Sequence, residues 1–183
     1  MRRAATLFTA VFLGLAITGC DSGAVPPPGQ SRDVAAPQPL ASNEVLLRGE
    51  GLVAGVEAFY FAAGQREVEA ALARALGEQV ANGTMAECGA GAIEFASYSG
   101  GLAVHFQEGN LVGWKLGGDD QPISVTGDVQ IGTSADEARA ADGFTPVAET
   151  TLGEEFTLGP RIGGLIADNR VAMLYAGTQC FER

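Results

Sequence analysis

Residues Gly100 to Leu116 read GGLAVHFQEGNLVGWKL, and this stretch decides the fold. Leu102, Val104 and Phe106 alternate with Ala103, His105 and Gln107. That is the period-two pattern of a strand with one buried face. Glu108-Gly109-Asn110 then supplies turn residues, and Leu111 to Leu116 runs back as LVGWKL. Apolar segments on both sides of a short glycine-containing break predict an antiparallel β-hairpin. Ile93 and Phe95 predict another strand just before it, and Gly117 to Gln121 (GGDDQ) breaks the pattern as a loop.

Upstream, Gly64 to Gly77 reads GQREVEAALARALG. Val68, Ala71, Leu72, Ala75 and Leu76 fall at helical spacing on one stripe, Glu67 and Glu69 suit the helix start, and Gly77 suits its end. Downstream, Thr133 to Asp142 carries Ser134 and Glu137, the S-x-x-E pattern of a capping box. Gly163-Gly164-Leu165, a turn near Asp168-Asn169 and a final strand from Arg170 to about Ala176 follow. Two anchors relate the halves. Gly64, Glu69 and Ala70 match Gly132, Glu137 and Ala138 at an offset of 68, and Gly100-Gly101-Leu102 matches Gly163-Gly164-Leu165 at an offset of 63. Matches in series imply an internal repeat. The expected fold is therefore α+β: two tandem units, residues 43–118 and 119–183, each a short helix packed on an antiparallel β-meander.

The amino end has a different character. Met1-Arg2-Arg3 is cationic, and an uncharged apolar run, LFTAVFLGLAI, extends from about Leu7 to Ile17. A bilayer-spanning helix needs about 20 apolar residues, so the run fits a signal-peptide core instead. It ends in Ile17-Thr18-Gly19-Cys20, which resembles the bacterial lipobox. The resemblance implies cleavage after residue 19, lipid on Cys20 and a membrane anchor facing the periplasm or exterior. Several acyl chains, palmitate among them, hold a protein stably at a bilayer where one chain alone does not. From Cys20 to Ser42 the chain is rich in Pro, Ala and Ser, with Pro26-Pro27-Pro28 favouring an extended tether.

About 140 residues remain beyond the tether, enough for a hydrophobic core. The net charge of the 183 residues is −11. Loss of Arg2 and Arg3 leaves nine basic residues against 22 acidic, a net of −13. Such acidity argues against nucleic acid and anionic lipid head groups as partners. Beyond Cys20 two cysteines remain, Cys88 and Cys180. In an oxidising compartment they are expected to form a disulfide.

The folded part resembles two kinds of module. A Gly, a short capped helix and an antiparallel meander are similar to envelope modules of the BamE (SmpA/OmlA) type. Two such units in tandem resemble the β-lactamase inhibitor protein, which implies inhibition of a hydrolase as an alternative role. The segments Glu87 to Gly91, Gly100 to Leu102, Phe106, Gly109, Val112 to Trp114, Leu152 to Phe156 and Ala176 to Cys180 resemble a pattern of small alphaproteobacterial lipoproteins. Some of these carry an aspartate-semialdehyde dehydrogenase label.

The residues do not support that label. Cys88-Gly89-Ala90-Gly91 lacks the G-x-G-x-x-G spacing of a dinucleotide site, and the following AIEFAS reads as a strand. A single histidine, His105, excludes paired-histidine metal motifs. It is expected to be a partly exposed strand residue, and the sole lysine, Lys115, a surface residue; a periplasmic enzyme using either is the weaker alternative. Asp119-Asp120 and Asp136-Glu137 lack calcium-loop spacing. The expectation is no catalytic residue, no metal and no cofactor. Aromatic side chains on a sheet face commonly anchor protein partners, and Tyr60 and Trp114 are the candidates for contact with an envelope protein.

Overall fold

In the computed structural model the described residues are 40–118 and 122–181. The signal peptide, Cys20, residues 20–39 of the tether and Asp119-Asp120 lie outside them. The decisive stretch forms a hairpin of β6 (Leu102–Gln107) and β7 (Asn110–Leu116) around Glu108-Gly109. Both turn residues have positive φ, 52° and 75°. This is the backbone that a two-residue connection between twisted strands requires. Val104 and Phe106 reach the core by alternation, and a register shift between His105 and Phe106 leaves Val112 unpaired on β7, so that Leu111 and Trp114, three residues apart, both face the core opposite them.

The remaining strands are β1 (Val45–Arg48), β2 (Gly51–Ala54), β3 (Glu57–Tyr60), β4 (Ala81–Met85), β5 (Ile93–Tyr98), β8 (Ile123–Val125), β9 (Phe144–Pro146), β10 (Glu154–Leu158), β11 (Ile162–Ala167) and β12 (Arg170–Gly177). Helix α1 spans Gln65–Leu76 and buries Val68, Ala71, Leu72 and Ala75, the stripe read from the sequence. Burying Val68 and Leu72 contributes about 1.5–3 kcal/mol each. Helix α2 is short, Ala135–Ala140, and starts at the Ser134–Glu137 capping box. No helix among the described residues is long and apolar enough to cross a membrane.

The α+β expectation of two helix-on-meander units is not what forms. The described residues are mostly β, 45% strand against 13% helix, in one four-stranded and one eight-stranded sheet with two helices. The larger sheet runs β4-β5-β6-β7-β12-β11-β10-β9. Its centre is the antiparallel pairing of β7 with β12, from Leu174↔Leu116 to Gly177↔Gly113. That pairing satisfies two strand edges that separate meanders would leave open. The smaller sheet runs β3-β2-β1-β8, with β8 parallel to β1. It draws strands from both sides of the expected 118/119 boundary.

The sequence anchors for a repeat also fall at unlike places. Gly100 and Gly101 form the turn before β6, both at positive φ, whereas Gly163 and Gly164 lie inside β11. Gly64 caps α1, but α2 is capped by Ser134, two residues after Gly132. The core lies between the large sheet and a layer made by α1 and the small sheet, where Leu47, Leu52 and Leu72 join Val104, Phe106 and Trp114 in one cluster. Contacts of α1 with β2, β5 and β7, and of β2 with β7, hold the layers together.

Candidate functional site

The small sheet has one face in the core and one turned away from it. Val45, Leu47, Leu52 and Ala54 point inward. Strand alternation then sends Leu46, Arg48, Val53, Ala58 and Tyr60 to the opposite face. Register places Leu46, Val53 and Ala58 in one row and Arg48, Gly51 and Tyr60 in the next. Tyr60 is 60% exposed on the edge strand β3, and Val56, in the β2–β3 turn, is 83% exposed. Glu57, on the other side of β3, is tied to α1 by a 2.7 Å ion pair with Arg74. The outer face of this sheet therefore combines half-buried Leu46, exposed Ala58, an aromatic ring and a strand edge, while Val53 on the same face is only 8% exposed.

Trp114, the second expected anchor, belongs to the interior. It is fully buried, and its indole Nε1–H donates to Arg48 O at 2.7 Å. The correction follows from alternation. Trp114 lies two residues from the inward-facing Leu116 and pairs with Val104. A buried indole needs an acceptor for its N–H, and the end of β1 supplies it.

His105 is also buried, 3% exposed, where a partly exposed residue was expected. It lies on the outer face of the large sheet, but residues after Gly177 turn back across it. Nδ1–H donates to Thr178 O at 3.1 Å, because a carbonyl only accepts. Burial pushes the imidazole below its usual pKa, the Thr178 bond opposes this, and the charge of Lys115 lowers it further. Lys115 is half-buried on the same face, paired with Ala103 on one side and Tyr175 on the other. The neutral imidazole thus clasps the carboxy-terminal segment to β6.

The same segment brings Cys88 close to the residue before Cys180. Cys88 lies in the β4–β5 loop, and its thiol donates to Gln179 O at 3.8 Å, next to Cys180 in sequence. The structure contains no disulfide between them. Tyr98 is buried in the core, and burial pushes its phenol up to about 12. Asp136 is engaged by Arg139 and Glu137 by Ser134, so these carboxylates serve helix α2. No group of three or more His, Cys, Asp or Glu among the described residues is arranged to hold a metal ion.

Tyr60, singled out in the sequence, is exposed on this face, whereas nothing in the sequence singled out Leu46 or Arg48 beside it. VLLR and GLVA carry no clean alternation, so the face each side chain takes is set by pairing between strands. The signal that could have marked Arg48 is a polar residue at the end of an apolar run.

No protein-family model matches the chain, and no curated protein matches it. Among solved structures it is similar to the uncharacterized protein YfeY from Escherichia coli, with a TM-score of 0.44 and 14% identity. The match covers 77% of this chain and 100% of that one. A likeness of this degree carries no functional argument.

Proposed function

We propose that this chain is an exported lipoprotein whose domain is a non-catalytic module docking an envelope protein. The lipobox-like end supports an anchor on Cys20, and the proline-rich tether supports reach away from the bilayer. The docking surface is the outer face of the four-stranded sheet. The observation that carries this reading is the exposure of Tyr60 on the same face of edge strand β3 as Ala58, with Val56 exposed in the turn at the other end of that strand. Exposed aromatic and aliphatic side chains grouped together mark interaction sites, and an edge strand adds backbone groups that a partner strand can pair. The acidity of the mature chain favours a protein over nucleic acid.

The test is quantitative co-purification of the full lipidated protein from gently solubilised envelopes, comparing the native chain with Tyr60→Asp. The native chain should recover one protein in near-equal amount, and Tyr60→Asp should reduce that recovery at least tenfold. Recovery of the chain alone, or equal recovery by both forms, overturns the reading. In parallel, Cys20→Ser should move the protein to the soluble fraction; membrane association of that variant contradicts the anchor.

A further inference from the structure

We propose that a cleft between the β1–β2 turn and the β10–β11 turn binds a small anionic amphiphile, a molecule with a carboxylate or phosphate head and an apolar body. The cleft has a volume of about 450 Å³, within the usual range for small-molecule sites. Leu46, Leu158, Pro160 and Ile162 supply its apolar lining, and Arg48 and Arg161 its cationic groups.

Both arginines are placed by the fold. Trp114 pins the Arg48 carbonyl from inside the core. The stem of Arg161 lies across Gly49, where an added Cβ would come within 2.6 Å of Arg161 Cβ. A side chain at position 49 would therefore push the two turns apart. The chain has 22 acidic residues for 11 basic ones, so acidic partners are plentiful. Arg74 and Arg139 have found theirs, at 2.7 Å to Glu57 and 2.6 Å to Glu154. Among the described residues Arg48 and Arg161 have no such ion pair, although Glu50 also lines the cleft. Two guanidinium groups without carboxylate partners beside an apolar floor match a head that accepts paired N–H bonds and a tail that leaves water.

The cleft shares Leu46 and Arg48 with the outer face of the small sheet, but its argument does not rest on the docking reading and Tyr60 does not line it. The experiment is a calorimetric titration of the full mature chain, carrying Cys20→Ser so that its own acyl chains do not compete. The probes are octanoate, octyl phosphate and the uncharged octyl glucoside, each below its micelle concentration. Expected is saturable one-to-one binding of at least one anion, with octyl glucoside at least tenfold weaker. Whichever anion binds more tightly identifies the head group. Arg48→Gln and Arg161→Gln should each weaken that binding at least tenfold with unchanged urea midpoints, and Tyr60→Ala should leave it unaltered. Failure of both anions to saturate, octyl glucoside binding as tightly, or full binding by both glutamine variants overturns the proposal.

Discussion

At the scale of the residue, His105 shows how a distant segment decides chemistry. Its neighbours in sequence make it one side of an alternating strand, and alternation alone exposes it. Thr178, far along the chain, covers it and takes its proton donor. The consequence is a pH dependence whose sign follows from the lowered pKa. In the unfolded chain the imidazole titrates near 6.5, whereas in the folded chain it stays neutral to lower pH. The contribution is therefore fully present above 6.5 and lost as pH falls from there toward the folded value, because the unfolded state takes the proton first. Between about pH 8 and about pH 5.5, the urea midpoint of the native chain should fall further than that of His105→Gln. Equal slopes for the two proteins would refute this. Trp114 teaches the complementary lesson: the spacing that points Leu116 inward points Trp114 inward too. Its place was legible, and its size misleadingly suggested an anchor.

At the scale of the element, the readable parts are those held together by local periodicity. Helix α1, the capping box of α2 and the β6–β7 hairpin all follow from residues within a few positions of one another. The unreadable parts are pairings between distant strands. Nothing in LVGWKL says that β7 joins β12, and nothing in VLLR says that β1 lies parallel to β8. Strand β11 is a case where composition misdirects. Gly163-Gly164, matched in the sequence to the Gly100-Gly101 turn, sits mid-strand, where aromatic rings pack close against both glycines. Tyr175 covers Gly163 on one face, and Phe156 covers Gly164 on the other. A Cβ at position 164 would fall inside contact distance of the fully buried Phe156 ring and 3.0 Å from Leu174 Cδ2. Gly164→Ala should therefore destabilise the fold by about 1–3 kcal/mol through overpacking. An unchanged midpoint in urea denaturation would show that the ring moves aside freely.

At the scale of the whole molecule, the β7–β12 pairing joins the two halves of the chain, and the carboxy-terminal segment closes back over the large sheet. Cys88 and Cys180 lie 92 positions apart in sequence, and Cys88 touches Gln179, the neighbour of Cys180, where that segment crosses the β4–β5 loop. In an oxidising compartment a bridge at this point would add about 2–5 kcal/mol by limiting the unfolded chain. Intact mass of the exported protein without reductant should be two hydrogens lighter than after reduction, and equal masses would reject the bridge. The reading of an apolar leader ending at Cys20 rests on local sequence alone and falls outside the described residues. The outer face of the small sheet was only partly legible: Tyr60 stood out as an aromatic, while the side chains that share its face depend on which strands pair.

Docking on the outer face of the small sheet is tested by photo-crosslinking in living cells. A photoreactive side chain would be placed at Tyr60, at Ala58 and, as a control on the far edge of the large sheet, at Thr84. The account predicts one discrete adduct of the same mass from positions 58 and 60 and none from position 84. No adduct at 58 and 60, or the same adduct from all three positions, would contradict a partner docked on the outer face of the small sheet.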